Sequence, residues 1–309
     1  MSRQWACNPL PLNLISQPNP GAEKALVFSF QPERGENIDS FMSWVGGKRA
    51  LRKIILACFP LSVPRYIEVF GGGGWVLFHK RPGPFEVYND FNPLLANLFR
   101  CVRDKPEELK EALRYALNSR EDFKIILELF ARDAPMSDID KAAKFYQLIR
   151  HSYAAGCDSF GCQPHNLWAD FPAIDAAHHR LRASGVIVEN KDFSALIRQY
   201  DKPESFFYLD PPYFGTERHY KNSNFDRESH KRLFDSLMAV KSKWLLSYGD
   251  EAFIRELYAV PGVYMMPVTR LNTIKQRYEG GSLFPELLIA NYDIHERFSQ
   301  FQPEQLMLA

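Results

Sequence analysis

The 309-residue chain reads as an α/β protein built on a doubly wound, mostly parallel sheet. Three observations carry that reading. Short apolar runs with strand patterning alternate with segments whose apolar residues recur at helical spacing. One early strand runs straight into Gly71-Gly72-Gly73-Gly74 and then a helix, a turn that lets a ligand approach the backbone. Further on, Phe206-Phe207-Tyr208-Leu209 stops abruptly at Asp210-Pro211-Pro212-Tyr213. Prolines cannot donate ladder hydrogen bonds, so that strand ends at Leu209 or Asp210 in a stiff elbow.

Composition bounds the function. Hydrophobic residues make up 46% of the chain and charged residues 24%, as in ordinary soluble globular proteins. With 38 Lys+Arg against 37 Asp+Glu, the formal net charge is +1, so any nucleic-acid contact has to come from local patches. The five cysteines (Cys7, Cys58, Cys101, Cys157 and Cys162) are scattered and odd in number. That fits a reducing compartment and offers no zinc spacing. The N-terminus lacks a charged region followed by an apolar core, and no apolar run approaches membrane length. The expectation is a cytoplasmic, monomeric protein without a metal.

Taken in order, residues 1–37 are rich in Pro, Asn and Gln and read as a poorly ordered N-terminal arm. Order begins at Trp44-Val45-Gly46-Gly47-Lys48, which leads into a helix stopped by Pro60. A glycine turn at a helix start faces backbone N–H groups toward an anion. Lys48 adds a point charge and Trp44 a surface for a ring, although a plain Gly-Gly turn with a solvated lysine reads equally well. Glu68-Val69-Phe70 then ends a strand at the four glycines, and Trp75 opens the next helix. This is not the spaced glycine fingerprint of a dinucleotide site. Asp90 ends the second strand, about 20 residues beyond the glycine turn, where an acid binds ribose hydroxyls; it also suits the cap of the following helix. Together these features point to a nucleoside-type ligand, with a nicotinamide cofactor still open.

From 101 to 185 the pattern changes to a helical insert, with helices expected over 107–117, 121–130 and 138–151. The loop from His151 to Gly161 is neither helix nor strand by pattern, and its small, hydroxyl and aromatic residues suit either a contact loop or a compact turn. The sheet resumes at 186–190. Asp192 and Phe193 suit the edge and face of a purine ring, or Asp192 caps the helix over 193–200. Beyond the elbow, Arg218, Tyr220 and Lys221 interleave charge with an aromatic ring, as single-strand contacts do. Lys275 and Arg277 lie in a polar hairpin between two final strands and are candidate phosphate contacts. The sheet domain is therefore expected over 38–100 and 186–300.

The elbow joins a carboxylate, proline carbonyls and a ring at a strand end, an acceptor beside a stacking platform. That suits a planar amino-bearing substrate. With Trp44 to Lys48, Glu68 to Gly73, Asn89-Asp90 and Asp210 to Tyr213 in this order, the chain resembles the Dam-like D12 class of DNA adenine-N6 methyltransferases, which use S-adenosylmethionine. The resemblance implies a Rossmann-like catalytic domain interrupted by a target-recognition insert. It implies that Trp44, Gly46, Lys48, Glu68, Phe70, Gly71, Gly72, Gly73 and Asp90 hold the cofactor, with Asp192 and Phe193 at its adenine. Asp210 would touch both cofactor and target, with Pro211, Pro212 and Tyr213 completing the catalytic set. DNA contacts would come from Arg150, Tyr153, Ser159, Arg218, Tyr220, Lys221, Lys275 and Arg277. Ser43 and Val69 stand where the family often has lysine and proline. The loop at 151–161 lacks the Arg- and Asn-rich hairpin of the members that read GATC, so that sequence is not carried over. The alternatives are a cytosine-N4 methyltransferase or an inactive DNA-binding protein on the same fold.

Overall fold

The structure, a computed structural model, describes residues 38–215, 225–271 and 283–300. A seven-stranded sheet forms its centre: β1 (Arg65–Glu68), β2 (Glu86–Asn89), β3 (Ile187–Glu189), β4 (Ser205–Leu209), β5 (Lys243–Gly249), β6 (Tyr264–Leu271) and β7 (Leu283–Ala290). Their spatial order is β3-β2-β1-β4-β5-β7-β6. The first five strands are parallel, while β7 runs antiparallel between β5 and β6. Strands β1 to β5 fall on the apolar runs of the sequence, while β6 and β7 reach further into the polar hairpin, to Leu271 and from Leu283. The slot of β7 does not follow from strand patterning, because period two says nothing about neighbours.

The central strands are apolar throughout because both faces are covered. Successive residues therefore feed two cores. In β4, Phe206 and Tyr208 pack on one face, and Phe207 and Leu209 on the other. The second face is closed by α8 (Phe193–Tyr200), α9 (Arg227–Met238) and α10 (Ala252–Tyr258). The first is closed by α1 (Arg52–Ala57), α2 (Trp75–His79), α3 (Pro93–Asp104) and α11 (Ile294–Ser299).

Residues 101–185 hold α4 (Pro106–Leu113), α5 (Arg120–Ala131), α6 (Asp138–His151) and α7 (Phe171–Ala183). Tyr146 and Ile149 of α6 and Ile174 and Leu181 of α7 join the same core cluster as α3. Serine caps set the starts of two of these helices: Ser119 accepts from the Asp122 N–H and Ser137 from the Asp140 N–H. Helix α7 was not anticipated; its two histidines and two arginines interrupt the apolar periodicity.

One polar network crosses this core. Glu86, on β2, accepts Arg180 of α7 at 2.7 and 3.0 Å and also pairs with Lys80. Arg180 donates further to the Leu77 carbonyl at 3.0 Å. All three charged side chains are buried. Removing one partner strands the others, so Glu86→Gln should lower unfolding free energy by about 3–5 kcal/mol. A reduced urea midpoint at unchanged slope is the expected result.

Candidate active site

The chain switches direction in the sheet at β1, which has β2 on one side and β4 on the other. Ligands of open α/β sheets bind beyond the carboxyl ends of the strands at such a point. There the protein has a cavity of ≈ 1200 Å³. Its wall includes Trp44, Gly46, Lys48, Glu68, Phe70, Gly71, Gly72, Gly73, Asp90, Asp192, Phe193, Asp210 and Pro212. Residues far apart in sequence are thus brought to one place.

Asn89 fastens the strand ends that frame it. Its side chain donates to the Val69 carbonyl at 2.8 Å and accepts from the Lys191 N–H at 2.9 Å. The glycine turn has to be glycine: a Cβ at Gly71 would run into the Tyr88 ring. Gly72 has φ 49°, and its Cβ would lie 2.7 Å from Trp44 Cδ1. Asp90 clamps this turn, accepting the Gly72 N–H at 2.9 Å and the Asn92 N–H at 2.8 Å. The cap of α3 is Asn92, not Asp90. Burial pushes the Asp90 carboxyl up to about 6, against those two hydrogen bonds.

An aromatic cleft follows. Phe70, Phe193 and Phe225 lie 5.6–5.7 Å apart by ring centres. Asp192 caps α8 through the Ser194 N–H, one of the two readings the sequence offers, and also lines the cavity. Arg232, on α9, binds both Asp192 oxygens at 2.9 Å and lies 4.1 Å over the Phe193 ring. Burial raises the Asp192 pKa, but the Arg232 and backbone hydrogen bonds outweigh it and hold the carboxyl below its usual range.

At the elbow, Asp210 Oδ1 receives Lys48 Nζ at 2.6 Å and the Ser247 hydroxyl at 3.1 Å. Burial raises the Asp210 pKa, while Lys48 opposes that rise. Among the described residues no hydrogen bond is made to Asp210 Oδ2. Pro212 reaches the cavity, whereas Pro211 and Tyr213 are buried behind its wall. The Tyr213 hydroxyl donates to Glu286 at 2.6 Å, and Lys48 Nζ sits 4.7 Å over its ring. Glu286, Ser247, Arg232 and Phe225 escaped the sequence reading. Glu286 left one signal, a lone acid opening an apolar strand.

The loop after α6 also reaches the cavity, through Ala155 to Asp158. Ala154, Ala155 and Cys157 adopt φ of 51°, 58° and 55°, a strained run of the kind found at functional sites. Tyr153 is 47% exposed, and its N–H donates to the Ser159 carbonyl at 2.8 Å. Arg150 is tied to Asp170 at 2.8 and 2.9 Å and to His165. Arg218, Tyr220, Lys221, Lys275 and Arg277 lie outside the described residues. Among the described residues there is no cluster of metal-ligating side chains and no helix long and apolar enough to cross a membrane.

The family model of the D12 class N6 adenine-specific DNA methyltransferases matches residues 44–274, most of the chain. The chain belongs to that family. The methyltransferase is similar to a type II methyltransferase, M1.LlaDCHI, of Lactococcus lactis subsp. cremoris. The two are 26% identical over 277 residues, covering 83% of this chain and 96% of that protein. It is also similar to a DNA adenine methylase of Haemophilus influenzae, 26% identical over 242 residues, covering 71% of this chain and 82% of that protein. The enzyme is a transferase that methylates adenine N6 in DNA, and its reaction requires a methyl donor.

Glu68 offers a test of this electrostatics. Burial pushes its carboxyl from the ordinary 4.5 up to about 8, although Tyr66 donates to it at 2.6 Å. The folded state therefore holds a proton that the unfolded state releases, and stability falls as pH rises from about 4.5 toward 8. Glu68→Gln lacks that liability. Its melting temperature should gain on the parent's between about pH 5 and pH 8; parallel curves would contradict the assignment.

Proposed function

We propose that the methyl donor is S-adenosylmethionine, that the strand-end cavity holds it, and that Asp210 accepts the target amine. The donor set fits. The cleft of Phe70, Phe193 and Phe225 suits a purine ring, with the Asp192 carboxylate at its edge. Asp90 lies where ribose hydroxyls need an acceptor, beside the tight turn at Gly71 and Gly72 that it clamps. Trp44, Gly46, Lys48, Glu68 and Gly73 complete the cofactor's surroundings. When bound, the cofactor supplies an electrophilic sulfonium methyl.

The adenine amine is a weak nucleophile because its lone pair is delocalised into the ring. The protein's task is to accept the amine's hydrogen bonds, which returns electron density to nitrogen, and to fix its orientation. Asp210 Oδ2 is the open acceptor, while Lys48 and Ser247 hold Oδ1 and thereby the carboxylate plane. The second amino hydrogen is assigned to the Pro211 carbonyl, which belongs to the peptide of the cavity-lining Pro212. The prolines fix the spacing of these two acceptors without a competing N–H of their own. The target base has to leave the duplex to reach them, and Tyr213 supports the elbow it enters. Helices α4 to α7 and the strained loop form the target-recognition segment, with Tyr153, Ser159 and Arg150 on its DNA side.

The observation that carries this reading is the half-open Asp210 carboxylate at the cavity wall. Asp210→Ala should lower methyl transfer by at least about 10²–10³-fold. Far-ultraviolet dichroism should be unchanged. Transfer at the parent rate would remove Asp210 from the mechanism.

A further inference from the structure

Glu286 stands on β7 opposite Gly249 and is fully buried. The next three residues, Leu287, Leu288 and Ile289, are buried apolar core. A carboxylate in such a place is strongly destabilising unless paired, and nothing in the packing of the strand demands one. Two of its partners, Tyr213 and Lys48, belong to the elbow or lie next to it, and the third, Arg270, is on the neighbouring strand β6. Glu286 accepts the Tyr213 hydroxyl at 2.6 Å and the Arg270 guanidinium, and its Oε2 lies 3.9 Å from Lys48 Nζ.

We infer that Glu286 is a positioning residue for methyl transfer, acting through Lys48 and Tyr213; this rests on the reading of Asp210 as the amine's acceptor. Lys48 Nζ lies between two anions, 2.6 Å from Asp210 Oδ1 and 3.9 Å from Glu286 Oε2. Its other partners are the Gly46 carbonyl at 3.1 Å and the Tyr213 ring at 4.7 Å. Because Glu286 shares the ammonium, Lys48 orients Asp210 without fully neutralising it. As the amine arrives, the ammonium leans toward Glu286 and stays paired in a buried site. Tyr213 is meanwhile held at both ends, its hydroxyl by Glu286 and its ring face by Lys48. The charges close locally: Asp210 and Glu286 against Lys48 and Arg270. With glutamine at 286 the shape and an acceptor for the phenol remain, but Lys48 has Asp210 alone. The acceptor then loses negative character at the moment the amine needs it.

The test uses the full chain, with steady-state kinetics on DNA, titration of S-adenosylmethionine and thermal melts. Glu286→Gln should lower kcat about 10–100-fold while the KM for DNA and the Kd for S-adenosylmethionine stay within about threefold. Glu286→Asp, which keeps the charge, should restore most of the loss. Combining Glu286→Gln with Tyr213→Phe should cost less than the sum of the two. A kcat for Glu286→Gln within about twofold of the parent overturns the inference. So does a loss shared equally by kcat, cofactor affinity and melting temperature, which marks a packing role. If both Glu286 variants fail to fold, Tyr213→Phe decides. A kcat loss at unchanged cofactor affinity supports the inference, and parent kcat overturns it. Asp210→Ala separates the two levels. Its full activity defeats the acceptor reading itself, whereas an inactive Asp210→Ala beside a fully active Glu286→Gln defeats this inference alone.

Discussion

The ion pair between Lys48 and Asp210 is the interaction around which the site is arranged. It joins the Gly46-Gly47 turn, ahead of α1, to the elbow after β4, 2.6 Å apart and mostly out of water. Charges this buried persist only when each has a partner. The surroundings follow from that constraint. Glu286 and Arg270 add a second anion and a second cation, and Glu68 avoids the problem by keeping its proton to about pH 8. Asp210, at the cavity wall, is thereby held through one carboxylate oxygen.

Sheet topology sets the elbow beside Gly71 to Gly74, the glycine turn that follows β1 and against which Trp44 of the Lys48 segment packs. Strands β1 and β4 are parallel neighbours, so the glycine turn and the proline elbow emerge at the same edge. Asp90 and Asp192 arrive there from the ends of β2 and β3 for the same reason. The candidate site sits at this edge because the edge is where side chains from distant segments converge. Helices α4, α6 and α7 share the core of α3, so the loop after α6 reaches the cavity from a rigid base.

Much of this was legible in the sequence because it is local. Strand and helix periods placed the seven strands and most helices. The glycine turn, Asp90 and the elbow announced themselves through residue types that only special backbone or a ligand calls for. What stayed hidden was pairing across the fold. Arg232 belongs to the polar side of an amphipathic helix, and nothing local says it grips Asp192. Glu286 reads as the first residue of an ordinary strand until β7 slots between β5 and β6 beside the elbow. Tyr213 shows the limit from the other direction. Its ring suggested an exposed stacking face, yet its hydroxyl is drawn to Glu286 and the side chain is buried. The choice of α7 as a helix was obscured by its charged and imidazole residues, of which Arg180 and His178 turn to Glu86 and the α3 carbonyls.

The central claim is that this cavity and elbow deliver a methyl group from S-adenosylmethionine to the amine of adenine. The direct measurement incubates the full chain with DNA and S-adenosylmethionine carrying an isotopically labelled methyl group. The DNA is then digested to nucleosides and analysed by mass spectrometry. Labelled N6-methyldeoxyadenosine is the predicted product. Label in N4-methyldeoxycytidine, or none in any nucleoside, would contradict the account.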